Sequence, residues 1–326
     1  MKKITKHFLR ISRNILLFLL SVLLLFTIVH QIITFVEKKQ NPTIGQYVTV
    51  GDHQMSLYTI GNGPQTIVLL PGLGTTAPIL DFMPLATELS KGNRVVIVEP
   101  FGYGFSDITS RERTLENEVE EIHTALHAAG IDAPYILMPH SLSGLHAIYY
   151  ANTYADEVSA VIGIDCTLPK MVEYFEEETP AQIPLALGQL VNLGVMRLLT
   201  FLAPDNFISD NSDHIYSEEN LALQRKLSNW KAQNKNVIDQ NNHISDSIAL
   251  TYDLSFREDL PVLLFTTDET GKKAREDGKT SVSFMETYIT NPSLQKVIAL
   301  PGSHYLHWSC TDEICSGVHD FLMHIR

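Results

Sequence analysis

Cysteine is scarce in this chain: Cys166, Cys310 and Cys315 are the only three among 326 residues. Three thiols exclude a disulfide framework and provide no cluster of soft metal ligands. A Cys310–Cys315 bridge stays open on the oxidising side of a membrane, although close spacing beside a predicted helix start is poor geometry for it. Internal repeats and low-complexity tracts are also lacking, which excludes a solenoid and a compositionally biased, disordered chain. Positive charge is sparse beyond the N-terminus. The first 39 residues hold seven Lys or Arg against Glu37, a net of +6 in a chain of −13, so residues 40–326 carry −19. A body this acidic repels phosphate backbones, and nucleic acid is not expected as a partner.

Formal charge of either sign is missing from residues 15–36, a run dominated by Leu, Ile, Val and Phe. As a helix rising about 1.5 Å per residue, that run reaches roughly 30 Å, the thickness of a hydrocarbon core. The apolar region of a cleaved signal peptide is shorter, about 7–15 residues, and no small-x-small site follows here. Residues 15–36 are therefore expected to be an uncleaved transmembrane anchor behind a basic tail, residues 1–14. Lys2, Lys3, Lys6, Arg10 and Arg13 precede the run. The positive-inside rule then expects a single-pass protein of the cell membrane, its N-terminus cytoplasmic and everything after Val36 outside.

After a polar linker (residues 37–46), short β-branched runs alternate with helical patterns. Strands are expected at 46–50, 55–60, 66–70, 94–98, 135–138, 160–164, 262–266 and 296–300. Helices are expected at 81–90, 115–130, 142–151 and 316–325. Short continuous apolar runs suit strands covered on both faces, and the alternation predicts an α/β fold: a mostly parallel sheet with helices on both sides, opened by an antiparallel hairpin near Gly51. The alternation stops between 168 and 260, where 183–202 is a long apolar segment and 218–233 is amphipathic. That stretch is expected to be a helical lid over the carboxyl ends of the strands, inserted between core segments 47–167 and 261–326.

Chemistry concentrates at those strand ends. In Tyr135-Ile-Leu-Met-Pro-His-Ser-Leu-Ser-Gly144 a strand meets a sharp turn and a helix follows at once, the context of a nucleophile elbow with Ser141 at its tip. Alone, a serine so placed is weak evidence. Upstream, the turn Pro71-Gly-Leu-Gly74 allows the Leu73 amide, with that of Leu142, to face a developing oxyanion. Downstream, one strand delivers Asp268 and Glu269 and the next delivers Pro301-Gly-Ser-His304. The order Ser, acid, His then gives Ser141 as nucleophile, His304 as proton shuttle and Asp268 as the acid behind it. Glu269 is the alternative acid, Asp165 a third choice, and His307 the alternative base.

Taken together, Pro71–Gly74, Glu99-Pro-Phe-Gly-Tyr-Gly-Phe-Ser-Asp107, His140–Gly144, Ile164-Asp165 and Gly302-Ser-His-Tyr-Leu-His307 resemble the α/β-hydrolase superfamily from about Tyr47 to Ile325, in particular its lidded esterases, lipases and aminopeptidase-like members. The chain departs from the usual motifs: Pro71 stands where His is usual, Glu99 where Asp is, and Pro139 and Ser143 replace the elbow glycines. The resemblance implies a serine hydrolase acting on a carboxylic ester, small or lipid-like, through an acyl-enzyme. It needs no cofactor and no metal. An aminopeptidase-like amide hydrolase, drawing a substrate amine to Glu176, Glu177 and Glu178, is the second enzymatic expectation. A catalytically inactive, membrane-anchored binding protein is the expectation from another class. A serine nucleophile speaks against dehalogenase or epoxide-hydrolase chemistry, which in related folds uses Asp at that place.

Overall fold

The apolar runs form the interior of one eight-stranded sheet in the computed structural model, which describes residues 2–270 and 275–325. The strands are β1 (Gln46–Val50), β2 (His53–Ile60), β3 (Thr66–Leu70), β4 (Arg94–Glu99), β5 (Tyr135–Pro139), β6 (Val158–Ile164), β7 (Val262–Thr267) and β8 (Gln295–Leu300). Their order is β1-β2-β4-β3-β5-β6-β7-β8. The joins β1–β2 and β2–β4 are antiparallel, and every later join is parallel. In β3, β5 and β7 every residue is buried, because helices cover both faces. Successive side chains serve opposite faces: Val68 and Leu70 join one apolar cluster, Ile67 and Leu69 the other.

The helices are α1 (Lys2–Gln40), α2 (Pro78–Asp81), α3 (Met83–Leu89), α4 (Leu115–Ala128), α5 (Ser143–Thr153), α6 (Met171–Phe175), α7 (Val195–Leu202), α8 (Glu218–Lys231), α9 (Lys235–Asn242), α10 (Ile244–Thr251), α11 (Ser281–Glu286), α12 (Leu306–Ser309) and α13 (Thr311–His324). The helix expected over 81–90 is α3 and starts two residues later, since Pro84 sits in its first turn and separates it from the short α2 that ends at Asp81. The long apolar stretch 183–202 is likewise broken. A 3-10 turn, Leu185–Leu190, is separated from α7 by Gly194, whose φ is 85°. A Cβ there would lie 2.8 Å from the His30 ring, so glycine permits the close approach of α1.

α1 is long and apolar enough to cross a membrane, and its most apolar window is almost wholly unburied by the rest of the chain. It runs beyond the expected limit at residue 36, through the first four residues of the expected linker to Gln40. Glu37 explains this extension: it accepts bonds from Arg197 at 2.9 and 2.7 Å and from the Trp230 indole at 2.8 Å. Helices α6 to α10 form the insertion between β6 and β7. The three cysteines are free, and the Cys310 thiol donates instead to the Pro301 carbonyl at 3.0 Å. Cys310 sits at the junction of α12 and α13, and Cys315 lies within α13.

Candidate active site

β5 ends in a turn that Ser141 makes in the left-handed region, at φ 53°, and α5 begins two residues later. Few side chains tolerate that conformation, and it thrusts the Ser141 hydroxyl above the sheet edge. The turn is tight on both sides. A Cβ on Gly72 would meet the Ser141 Cβ at 2.8 Å, and one on Gly144 would meet the Thr167 carbonyl at 2.2 Å. Ser143 fits where glycine is usual because its hydroxyl points across to the Pro71 carbonyl, 2.5 Å away. Backbone bonds from Ser141 N to the Ile164 carbonyl (3.3 Å) and from Thr167 N to the Ser141 carbonyl (2.8 Å) tie the elbow to the end of β6.

His304 Nε2 lies 2.8 Å from Ser141 Oγ, and its Nδ1 lies 2.7 Å from Asp165 Oδ2. With a carboxylate as acceptor, Nδ1 carries the proton, which leaves Nε2 free to accept from the serine hydroxyl. The other Asp165 oxygen accepts from Thr266 Oγ1 at 2.9 Å and Thr267 N at 3.4 Å. The structure thus joins Ser141 and His304, as expected, but puts Asp165 where Asp268 was expected. Asp268 is exposed and turns back on its own loop, accepting from Thr270 N at 2.8 Å. Glu269 caps α11 through Ser281 N and Oγ, both at 2.7 Å. The reason is topological. β6 lies between β5 and β7, so a residue at its end stands one strand nearer to Ser141 than any on the β7 loop. Asp165 also has a positive φ, 40°, which turns its side chain off the strand direction.

His307, the alternative base, is buried elsewhere: its Nε2 bonds Asp81 Oδ2 at 2.8 Å. Asp81 is itself fully packed away. Burial alone would raise its pKa, but His307, Ser209 and Trp308 hold it below the ordinary carboxylate value. His140 had no assigned part in the sequence argument, yet it sits directly beneath the site. Its Nε2 donates to the His304 carbonyl at 3.1 Å, and its Nδ1 has no hydrogen-bond partner among the described residues. Burial, followed by the neighbouring His307 and His304, keeps its pKa well below the usual histidine value, so it is neutral. Position immediately before the nucleophile was the signal available for it.

The Leu73 and Leu142 amides donate to no other group of the chain among the described residues. Gly74 N donates to the Tyr103 hydroxyl at 3.1 Å, bracing the turn that carries Leu73. Beyond it a cavity of about 230 Å³ runs under the insertion, lined by Gly74, Thr75, Met196, Phe207, Tyr305 and Trp308 among others. A second cavity, of about 300 Å³, opens on the other side of His304 and contains Asp165, Glu177, Glu269 and Arg275. A third cavity, of about 700 Å³, is lined by Met83, Asp213 and Trp308 among others, and its lining does not include Ser141, His304 or Asp165. His123, His127 and Glu157 are close enough together to share an ion. Glu157 precedes β6, at the sheet edge opposite Asp165, and its carboxylate accepts from Tyr150 at 2.8 Å.

Glu99, replacing the usual Asp, is fully buried and accepts from Phe105 N at 2.8 Å and Ile79 N at 3.3 Å. Burial pushes its pKa up to about 7 despite those two donors. It holds the loop behind the oxyanion turn and does not reach Ser141.

The family model for the alpha/beta hydrolase fold matches residues 65–308. An uncharacterized protein of Bacillus subtilis (strain 168), YbdG, is 37% identical over 126 residues, and the match covers 39% of each chain. Among solved structures, the Cif epoxide hydrolase from Acinetobacter nosocomialis is similar at TM-score 0.65 and 15% identity, over 91% of this chain and 96% of that one. The enol-lactonase from Burkholderia xenovorans LB400 matches at TM-score 0.59 and 18% identity, over 85% and 100%. At such identities the likeness is one of fold.

Proposed function

The chain belongs to the α/β-hydrolase fold family, and from that premise we propose that it is a serine hydrolase cleaving a carboxylic ester through an acyl-enzyme. One observation carries the proposal: the unbroken relay from Ser141 Oγ to His304 Nε2 (2.8 Å) and from His304 Nδ1 to Asp165 (2.7 Å). Ser141 Oγ attacks the ester carbonyl as His304 takes its proton at Nε2. The oxyanion forms against the Leu73 and Leu142 amides. The tetrahedral intermediate collapses, the alkoxide leaves with the proton from His304, and the acyl group stays on Ser141. Water then enters, loses its proton to His304 and releases the acid, returning the proton to Ser141. Asp165 holds the imidazole tautomer and offsets the charge of the imidazolium throughout.

Ester chemistry is preferred over amine-directed peptide cleavage because the acids of the cavity beside His304 are engaged within the chain: Asp165 bonds His304, Glu269 bonds Ser281, and Glu177 lies near Arg275. The serine also separates this chain from epoxide opening by a carboxylate nucleophile. The proposal extends to place: α1 crosses the cell membrane with its basic end in the cytoplasm, and the insertion serves as a lid over Ser141 on the outside.

A fluorophosphonate probe tests the chemistry. The folded wild type should be labelled and Ser141→Ala should not. Hydrolysis of a short p-nitrophenyl ester should exceed that of an amino-acid anilide or a styrene-type epoxide by at least tenfold. A folded protein that takes no label, or one labelled equally without Ser141, rejects the assignment.

A further inference from the structure

We propose that the outward face of α7 and the turn before it lie within the outer leaflet of the bilayer that α1 crosses, so that ester substrates enter from lipid. This rests on the reading of α1 as a membrane anchor.

Three observations converge. First, the insertion grips α1 well below its end. Thr27 Oγ1 donates to the Leu193 carbonyl at 3.4 Å and Gln31 Nε2 to the Asn192 carbonyl at 2.6 Å. Arg197 reaches His30 and Thr34, each at 3.1 Å, and then Glu37. A span that begins at Ile15, after the last basic residue of the tail, crosses about 30 Å of hydrocarbon by about Thr34. Thr27 then lies about 10 Å below the outer boundary, and the segment bound to it lies at acyl-chain depth.

Second, what that segment shows to its surroundings is apolar. Phe201 is 80% exposed and Leu202 67%, and Leu185, Leu190, Leu198 and Leu199 are exposed beside them. In water such a cluster is a liability, whereas in a leaflet it continues the apolar surface of α1. Irregular backbone at that depth needs internal partners, and α1 gives them to the carbonyls of residues 192 and 193. Third, Met196 on the inner side of α7 lines the cavity that leads to Gly74 and Thr75 of the oxyanion turn. The same short helix has one side in lipid and the other on the route to Ser141. The substrate class that fits is an amphiphilic ester whose chain stays in the leaflet while its carbonyl rises to the turn. Because the surface is apolar and the body acidic, insertion does not need anionic lipid.

Trp fluorescence in the full chain tests this, using phosphatidylcholine nanodiscs with lipids brominated on their acyl chains. Phe201→Trp should be quenched at least twofold above the wild-type background of Trp230 and Trp308. A Met323→Trp control, exposed at the far end of α13, should be unaffected. Leu20→Trp reports the anchor separately. Quenching at position 20 without quenching at 201 overturns the docking and leaves the anchor intact, while quenching at neither position overturns both. The paired substitution Phe201→Ser with Leu202→Ser should slow hydrolysis of a bilayer-embedded ester about tenfold and leave a water-soluble short ester within twofold. Equal effects on the two esters reject entry from lipid. Failure of the serine-hydrolase reading is seen differently, as no turnover of either ester by the wild type, with the quenching still readable.

Discussion

Replacing Asp165 by Asn removes one charge and almost no volume, yet the surrounding bonds make its effect large. Asp165 Oδ1 is held by two donors, the Thr266 hydroxyl at 2.9 Å and the Thr267 amide at 3.4 Å. In the variant this position must remain the carbonyl oxygen, because an NH2 group facing a backbone N–H cannot bond it. The amide nitrogen is then turned toward His304 and donates to Nδ1. Nδ1 must accept, so the imidazole proton moves to Nε2, and the ring can no longer take the proton from Ser141 Oγ. Loss of the correct tautomer in such relays costs about 10⁴-fold in kcat, or about 5 kcal/mol of transition-state stabilisation, while the oxyanion amides sustain a residual rate. The assay is kcat/KM on a p-nitrophenyl ester with the rate of fluorophosphonate labelling alongside, for Asp165→Asn and Asp268→Asn. The second variant should keep activity within about twofold, since among the described residues the Asp268 carboxylate bonds the Thr270 amide of its own loop and lies away from His304. Full activity in Asp165→Asn with a collapse in Asp268→Asn would refute the assignment of the acid.

Three further outcomes are expected. His140 is neutral in the fold and its pKa is depressed, so its share of stability is complete above about pH 6.5 and is lost as pH falls below that, at about 1.4 kcal/mol per pH unit until its folded pKa is reached. Urea midpoints between pH 7.5 and 5 should therefore drop more steeply for the wild type than for His140→Gln, and parallel curves would contradict the argument. Gly144→Ala drives a Cβ to 2.2 Å from the Thr167 carbonyl. It should cost about 1–3 kcal/mol and lower Tm by several degrees in a thermal melt; an unchanged Tm would show that α5 can move away. Arg197→Ala strips the bidentate partner from Glu37, a half-buried carboxylate, and should cost about 2 kcal/mol of thermal stability in detergent, whereas a loss under 0.5 kcal/mol would mean the clamp is not holding the insertion.

Much of this architecture could be read from the chain because the signals were local. Unbroken runs such as Thr66–Leu70 and Val262–Thr267 are strands covered on both sides, and both are buried end to end. Ser141 and His304 were legible for the same reason, each sitting where a strand runs out into a turn. The acid was not. Choosing between Asp165 and Asp268 needs the lateral order of strands, and the order that puts β6 between β5 and β7 is a property of the sheet, invisible to spacing along the chain. The break in 183–202 was missed through a related blindness. Gly194 looks like any glycine in an apolar stretch until α1, more than 160 residues away in sequence, is packed against it. His140 escaped notice because its partner is a backbone carbonyl, which has no signature among the residue types.

Only five residues separate the end of α1 at Gln40 from the start of β1 at Gln46, and the Arg197–Glu37 pair stiffens the junction. With α1 in a bilayer, as proposed above, the hydrolase has no leash. Its reaction volume becomes a thin shell above its own patch of membrane, and the variable that governs its rate becomes the surface density of substrate, expressed as a mole fraction of lipid. Diluting the vesicles while holding that fraction constant should leave the turnover per enzyme unchanged, whereas diluting the substrate within the lipid should reduce it in proportion.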